Sequence, residues 1–313
     1  MGPAPTDRAI AGSRAVRSRW PKVGAAAATL LVLAGGCTTP VDSPPPGRPD
    51  NPPQRTSWVL RHRVVDSGEI QVRGSSMSQY EESTSVAAGL DANGDDRSCS
   101  VTISVPGWGG PENKVGEKLP TKVQGHPGFR SGAGAEYVYV MWQLPDEAWV
   151  EVNCTDPDDP APVESLAKAV RLETTAIALP YAVDLPEGYG VALILQELDN
   201  TKVYVGPVNP AFGLPDAQIE ISYETKDPLH TPSGRAITVG GRPALLNENE
   251  RSPEVCVLDG ARHVCVDAYT TDTGPYPDRT GEIPTLIALA ESLRFADDLD
   301  DRSTWFPADV VFG

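Results

Sequence analysis

The sequence predicts an α+β fold in which two tandem repeats follow a disordered leader, each repeat being an antiparallel sheet packed by a C-terminal helix. The first observation behind this prediction is that Val123–Gly128 recurs as Val239–Ala244 in the later part of the chain. The second is that Val101–Val105 recurs as Ile219–Tyr223, both with the alternation of a half-buried strand. The third is an apolar stripe at helical spacing near the end of each repeat.

Residues 1–36 have the organisation of an export signal. The first 22 residues are basic, and the uncharged run from Val23 to Gly36 is shorter than the roughly 20 apolar residues of a membrane-spanning helix. Leu33–Cys37 resembles the bacterial lipobox, although Ala34 stands where the commonest form has leucine. The resemblance implies cleavage before Cys37, lipidation of its thiol and a lipid-anchored protein on the extracytoplasmic face of the cell membrane. The alternative is an ordinary secretory signal followed by an unmodified cysteine.

Residues 37–56 form the predicted linker. Proline is dense here, at Pro44–Pro46 and Pro52–Pro53, and no helical or strand period is present. This composition favours a disordered chain rich in polyproline II, which rises about 3.1 Å per residue and would reach up to roughly 60 Å from the membrane. The linker is therefore either a spacer through cell-wall material or a leader whose length has no role.

The charge of the chain limits its partners. The formal net charge is −17 although residues 1–36 are basic, so the remainder is more acidic than the whole. An acidic surface repels phosphate backbones and anionic lipid headgroups. The sequence therefore predicts no nucleic-acid partner, a membrane contact through the lipid anchor, and an apolar character for any further contact with lipid.

Residues 57–178 and 179–313 are the two predicted repeats. Each has an alternating strand, a loop, a strand into a tight turn with a Gly-Arg/His-Pro element, a hairpin and a closing helix. The hairpin turns are expected at Asp146-Glu147 and at Gly260-Ala261. The closing helices have these apolar stripes: Leu166, Ala169 and Val170 in the first repeat, and Leu286, Leu289, Ala290 and Leu293 in the second.

The order of short motifs resembles a small envelope domain of Gram-positive lipoproteins and membrane-bound sigma-factor regulators. The matching residues are Gly241-Arg242-Pro243, Trp142 and Ala290–Leu293, with Cys256 where the second repeat would carry the tryptophan. The resemblance covers most of both repeats, and its motifs are structural. It implies a non-catalytic role in the cell envelope and provides no active-site residues.

Four cysteines remain if Cys37 carries lipid, and three pairings of them are possible. With a two-residue turn at Gly260-Ala261, Cys256 faces Cys265 as a non-hydrogen-bonded pair, within the distance that a disulfide tolerates. Cys99 and Cys154 are then left to pair with each other in an oxidising compartment. The alternative is four free thiols.

Strand parity places the two pairs on different faces. Cys99 shares parity with Val101 and Cys154 with Val152, so this pair is expected to point inward. Val255, Val257, Val264 and Val266 are expected to point inward in the second hairpin, which turns Cys256 and Cys265 outward. By alignment of the repeats, Trp142 and Glu151 are expected to occupy the same outward positions in the first.

Motifs for catalysis or metal binding are not found in the sequence. His62, His126, His230 and His263 form no zinc-binding spacing, and His126 and His263 are interpreted as surface residues. Ser165–Lys168 matches Ser-x-x-Lys but lies in the predicted helix without partner motifs. Asp91–Asp95 imitates the start of a calcium loop but lacks its later glycine and glutamate. We therefore expect no metal site, no cofactor and no enzymatic activity.

Two functions are compatible with the sequence. The first is a membrane-anchored binding or scaffolding protein that contacts an envelope protein or a wall component. The second is a carrier of a lipid or another apolar ligand, which needs an apolar cavity wide enough for an acyl chain. Two repeats that each fill their own core favour the first function. One large cavity or two closed cores would discriminate between them.

Overall fold

The structure, a computed structural model, describes residues 57–90, 94, 96–135, 137–155, 160–198, 200–209, 214–215, 218–224, 231–260, 262–269 and 277–312. The predicted signal peptide 1–36, the linker 37–56 and Cys37 lie outside these residues. In the described part of the chain, no helix has the length and apolar character needed to cross a membrane. We call residues 57–177 the first half and residues 178–313 the second half.

The first half consists mainly of strands, with one α-helix near its end. Its elements are β1 (Val59–Leu60), β2 (Arg63–Val64), β3 (Ile70–Ser78), β4 (Glu81–Leu90), β5 (Asp96–Ser104), β6 (Lys118–Val123), β7 (His126–Ser131), β8 (Val138–Gln143), β9 (Trp149–Cys154), α1 (Ala161–Ala169), β10 (Val170–Arg171) and β11 (Thr175–Ala176).

The second half repeats this arrangement and ends with an additional short helix. Its elements are β12 (Ala178–Leu179), β13 (Tyr181–Ala182), β14 (Tyr189–Glu197), β15 (Asn200–Asn209), β16 (Leu214–Pro215), β17 (Ile219–Glu224), β18 (Arg235–Val239), β19 (Arg242–Asn247), β20 (Glu254–Asp259), β21 (Arg262–Ala268), α2 (Ile283–Ser292), β22 (Arg294–Phe295), β23 (Phe306–Pro307) and α3 (Ala308–Phe312).

The long strands form one antiparallel sheet. Its order is β6-β7-β8-β9-β5-β4-β3-β14-β15-β17-β21-β20-β19-β18, and β16 pairs with β15. The prediction of a separate sheet for each repeat is therefore wrong: the sheets join where β3 pairs with β14, with Met77 opposite Ile194. The physical reason is that β3 and β14 would each be an edge strand with unpaired backbone groups, and their pairing satisfies both edges. Moving outward from this junction, the strands follow the same order in either half.

Both helices α1 and α2 cover the same face of the sheet. Residues directly opposite each other on paired strands share a face, and such a row runs from Ile103 through Glu82, Met77 and Ile194 to Val203. Ile103 packs in the cluster that contains α1, whereas Ile194 and Val203 pack in the cluster that contains α2. We call this the inner face and the opposite one the outer face.

The buried side chains form two clusters. One contains Val163 and Leu166 of α1 and lies within the first half. The other contains Leu286 and Leu289 of α2 and also takes in Trp58, Leu60 and Met77 of the first half. The Trp58 backbone N–H donates to Asp309 Oδ1 at 2.9 Å. The first described residues are thereby held against α3 at the other end of the chain.

Tight turns fix the registers of two equivalent hairpins. Gln124 and Gly125 both have positive φ, as do Gly240 and Gly241, so β6–β7 and β18–β19 are closed by two-residue turns of the type that hairpins favour. These are the turns that the sequence predicts before His126-Pro127 and Arg242-Pro243. A helix lies near the predicted end of each half and buries Leu166 in α1 and Leu286, Leu289 and Ala290 in α2, as predicted. The rest of the predicted stripes differs: Ala169 is half-buried, Val170 lies in β10 and Leu293 follows α2, whereas α1 also buries Val163 and Ala167.

Candidate functional site

The structure contains two disulfide bonds, and each joins cysteines that lie directly opposite on neighbouring strands. Cys99 is bonded to Cys154 with their Cα atoms 4.1 Å apart, and Cys256 to Cys265 at 4.0 Å. These separations are close to that of a non-hydrogen-bonded antiparallel pair. The pairs are those expected from strand parity. The register of the second hairpin, in which Asp259 faces Arg262, is also the predicted one.

The two disulfides lie on opposite faces of the sheet. Cys99 and Cys154 are buried in the cluster beneath α1. Cys256 and Cys265 are turned to the outer face because their strand neighbours pack beneath α2, namely Val255, Val257, Val264 and Val266. The second disulfide therefore lies on the outer side of its half, although both of its cysteines are buried, and the first lies on the inner side.

Trp142 and Glu151 do not form the outward pair that the alignment of the repeats predicts. Trp142 lies opposite Val150 and is buried on the inner face, whereas Glu151 lies opposite Met141 on the outer face. The reason is that the turn between β8 and β9 is longer than the two-residue turn between β20 and β21. A difference of one residue in register moves a side chain to the other face of a strand.

A cleft of about 260 Å³ lies on the outer face of the first half, and its lining includes Glu81, Trp108, Lys114 and Glu151. Lys114 Nζ is 2.5 Å from Glu151 Oε2 and also donates to the Tyr137 hydroxyl at 2.9 Å. Burial alone lowers the pKa of Lys114, but the attraction of Glu151 outweighs it, so the pKa is raised. The ammonium therefore stays charged and neutralises Glu151 within the cleft.

A second cleft, of about 270 Å³, lies on the outer face of the second half. Its lining includes Lys202, Glu220, Glu254, Cys265 and Asp267. Lys202 Nζ donates to Glu220 Oε1 at 2.7 Å. Asp267 lies directly opposite both Glu220 and Glu254 on the neighbouring strands. Burial, followed by repulsion from Glu220 and Glu254, raises the pKa of Asp267 to about 8. The carboxyl of Asp267 therefore keeps its proton to a higher pH than an exposed aspartate does.

One group in this cleft has ligand atoms close enough to hold a metal ion. Atoms of Glu254, Cys256 and Cys265 all lie within 4.8 Å of one another. A zinc ion would need the two sulfurs as thiolates, but here they are bonded to each other. The oxidised hairpin therefore offers only the carboxylate of this group.

A polar network is buried on the inner face of the first half. His62 Nε2 lies 2.9 Å from the Thr84 hydroxyl, and Glu82 Oε1 accepts hydrogen bonds from the backbone N–H and Nε of Arg61. Arg61 extends outward to Asp146 at 3.0 Å. A hydroxyl, an imidazole and a carboxylate come together here, but the His62 and Glu82 side chains are fully buried. The network therefore joins Arg61, and through it Asp146, to the buried interior of the first half.

The remaining residues singled out in the sequence have mixed positions. His126 is half-buried in its turn, whereas His263 is only 8% exposed, so its interpretation as a surface residue is wrong. His263 lines the cleft of the second half, opposite Leu258 and on the same face as Cys265. Ser165 and Lys168 lie in α1 and are exposed. His230 and most of the segment 91–95 lie outside the described residues.

Sequence reasoning missed the cleft residues. Strand alternation could have predicted that Asp267 points outward, because it lies two residues after Cys265 on β21 and therefore on the same face. Nothing local indicates that Glu220 faces Asp267, because strand pairing between distant segments has no sequence signal of its own. No protein-family model matches this chain, and no curated protein is significantly similar to it.

Proposed function

We propose that this protein is an exported lipoprotein, anchored through Cys37 on the extracytoplasmic face of a membrane, whose body binds an envelope protein or a wall component without catalysing a reaction. The basic segment, the short apolar run and the small residues before Cys37 support the export and the anchor. The two disulfides support an oxidising location, where such bonds form and persist.

The proposal includes the origin of the body from two copies of one unit. The identical strand order on either side of the β3–β14 junction supports this origin. Positions in the two halves then correspond when they occupy the same place in equivalent strands. Val101 of β5, paired with Val152, corresponds to Ile221 of β17, paired with Val266.

The binding role rests on the outer face of the sheet. The α-helices α1 and α2 pack on the inner face, and a row of directly opposite residues crosses the junction on the outer face: Thr102, Ser83, Ser76, Leu195 and Lys202. Hydroxyl and charged groups dominate this row, so the face offers hydrogen bonds to a polar partner. The clefts at Lys114 and at Asp267 extend the same face on either side.

A carrier of a lipid or another apolar ligand is the alternative. A ligand pocket of that kind measures roughly 300–1,000 Å³ and is mostly apolar. The outer clefts measure about 260 and 270 Å³; polar and charged side chains line most of the second, and the first combines charged and polar side chains with Trp108 and two glycines. The inner side chains pack into two clusters. These observations favour the binding role over the carrier.

The anchor is tested by the variant Cys37→Ala. We expect it to appear in the soluble extracytoplasmic fraction or as an uncleaved precursor, because the lipobox cysteine is the site of lipidation. Membrane fractionation with mass spectrometry measures both outcomes. A Cys37→Ala protein that stays in the membrane at the mass of the mature chain contradicts the anchor.

The binding face is tested by photo-cross-linking in intact cells. A photo-reactive residue replaces Ser83 on the outer face or, in the matched control, Ser165 on the exposed side of α1. We expect the same cross-linked product from Ser83 and from a second outer position, Ser222, and no such product from Ser165. Equal products from both faces contradict a binding role for the outer face.

A further inference from the structure

A third cleft, of about 280 Å³, lies at the inner-face edge of the first half, between the β6–β7 hairpin, β8 and α1. Its floor is apolar and consists of three buried side chains, Val123, Val140 and Ala167. Its rim has the exposed cations Arg130 and Lys168 and the exposed carboxylate Glu164. Lys122 also belongs to the lining, but strand parity with Val123 turns its side chain toward the outer face. An apolar floor with two cations at its rim is the complement of a group that is anionic at one end and apolar behind it.

The three cations of this lining have no carboxylate partner within the described part of the chain. Glu164 lies in the same lining but forms no ion pair with them. Elsewhere most described cations are paired, namely Arg61, Arg63, Arg73, Lys114, Lys202, Arg235, Arg262, Arg279 and Arg294. In a chain of net charge −17, two cations without acidic partners, Arg130 and Lys168, thus meet at one inner-face cleft.

The second half shows that the fold does not require this cleft. By the pairing of β18 with β19 and the alignment of the helices, three corresponding positions are apolar: Ile237 for Thr121, Leu246 for Arg130 and Ile287 for Glu164. Lys122 and Lys168 correspond to Thr238 and Glu291, so no cation of this lining is kept in the second half. Leu246 is 4% exposed, and Ile237 and Ile287 pack against the same core cluster. The second half therefore fills the space that polar side chains leave open in the first.

The cleft is also held in place by a side chain without a counterpart in the second half. Gln124 Nε2 donates to the Ala167 carbonyl at 2.8 Å and to the Val170 carbonyl at 3.0 Å, which ties the hairpin turn to the end of α1. The corresponding residue is Gly240, which has no side chain. The two walls of the cleft are thereby fixed relative to each other before any ligand binds, and preorganisation of this kind favours affinity.

We propose that this cleft binds a phosphate or carboxylate group carried on a short apolar stem. The anion contacts Arg130, which can form a bidentate pair, and Lys168, and the stem lies on Val123, Val140 and Ala167. The volume admits a small ligand or the end of a longer one. The inference does not depend on the lipid anchor or on a partner at the outer face.

The test uses the full chain carrying Cys37→Ala, so that no covalent lipid competes. Calorimetric titration compares hexyl phosphate and hexanoate with inorganic phosphate and hexanol. We expect hexyl phosphate to bind at least tenfold more tightly than inorganic phosphate or hexanol, because only it uses both the rim and the floor. Equal affinity for hexyl phosphate and inorganic phosphate contradicts the proposal, as does the absence of binding by both hexyl phosphate and hexanoate.

Variants locate the site. Arg130→Leu copies Leu246 and should reduce the affinity for hexyl phosphate at least tenfold, and Lys168→Gln is the second variant if Arg130→Leu does not fold. Lys118→Gln is the matched control, since it removes one positive charge from the same hairpin outside the cleft lining. Its affinity should stay within twofold of the parent. A loss for Lys118→Gln as large as that for Lys168→Gln indicates diffuse electrostatics and contradicts the site.

The source of the anion is distinguished with vesicles. Vesicles of phosphatidylglycerol in neutral lipid should retain the parent chain and lose Arg130→Leu if the occupant is a lipid headgroup. Retention of neither protein, with hexyl phosphate binding intact, assigns the cleft to a free amphiphilic anion. If the vesicles retain Arg130→Leu as strongly as the parent chain, they bind the protein outside this cleft. A lipid headgroup is then excluded as the ligand of the cleft.

Discussion

The two halves of the sheet share their strand order but differ in the chemistry of their outer faces. Many inner positions are apolar in both halves, for example Val150 and Val152 in the first half and the corresponding Val264 and Val266 in the second, although Glu82 and Thr84 make part of the first inner face polar. The corresponding outer positions differ: Ser83 and Lys202, Ser100 and Glu220, Asn153 and Asp267. The difference teaches that the shared strand order depends on apolar inner positions and not on the identity of the outer residues, which differ in charge between the two halves.

The disulfides follow the same contrast. The first half has its bridge on the inner face, where the second half has Ile219 opposite Ala268. The second half has its bridge on the outer face, where the first half has Met141 opposite Glu151. Neither position therefore requires sulfur for the fold to form, and each bridge adds stability to its own half.

The largest expected effect comes from removing the disulfides. The inner bridge joins residues 55 apart in sequence and the outer bridge residues 9 apart. In the chain-entropy account, the longer loop stabilises by about 4 kcal/mol and the shorter by about 3 kcal/mol. We expect the double variant Cys99→Ala/Cys154→Ala to lose more free energy of unfolding than Cys256→Ala/Cys265→Ala, as measured by urea denaturation.

The comparison between the two bridges has its own control, since each double variant leaves the other disulfide in place. Mass spectrometry of non-reduced digests verifies that the remaining pair is intact. A larger loss for the outer bridge would mean that loop length does not determine its contribution, and that the cleft beside Cys265 depends on the bridge for its shape.

The second prediction concerns Asp267→Asn, a substitution that gives the outer face of the second half the residue type found at the corresponding Asn153 in the first. The pKa of Asp267 is raised from 3.8 to about 8, so the folded protein binds this proton more tightly than the unfolded chain does. The stability that depends on this protonated carboxyl is fully present below the pKa of Asp267 in the unfolded chain, and it is lost as the pH rises toward the folded value of about 8. Asp267→Asn should therefore stabilise the fold by an amount that grows between pH 4 and pH 8 and reaches a few kcal/mol at pH 9.

Thermal melting of both proteins at pH 5 and pH 9 measures this gain. The reverse change in the first half, Asn153→Asp, should lower the Tm at pH 9, because it places a carboxylate beside Glu151, whose Oε1 now accepts a hydrogen bond from Asn153. A gain for Asp267→Asn that is the same at both pH values would show that burial of the amide, and not the charge, is responsible.

The sequence predicted the parts of this structure that depend on local rules. The register of β20 and β21 follows from a two-residue turn, and the helix stripes from a period of 3.6 residues. The predicted register of β8 and β9 is wrong because the turn between these strands is longer than the two residues assumed. The β3–β14 junction was missed because Gly74, Ser75 and Ser76 give β3 a polar pattern and its partner is remote in sequence. The clefts depend on that same long-range pairing.

The smallest expected effect separates two buried threonines on the inner face. Thr84 in the first half is hydrogen-bonded to His62, whereas the Thr201 hydroxyl in the second half has no hydrogen-bond partner among the described residues. Thr201 in the second half corresponds to Glu82 in the first. In the first half this position belongs to the buried polar network, whereas in the second half it lies among apolar neighbours.

The same substitution should therefore have opposite signs at these two sites. Thr84→Val leaves a buried His62 nitrogen without its partner and should cost about 1–3 kcal/mol of stability, whereas Thr201→Val removes an unsatisfied buried hydroxyl at nearly constant shape and should gain up to about 1 kcal/mol. Urea denaturation at neutral pH measures both, and the unchanged protein serves as the reference. If both variants lose stability equally, the Thr201 hydroxyl must form a hydrogen bond in the folded protein. The two threonines would then not differ in the polarity of their surroundings.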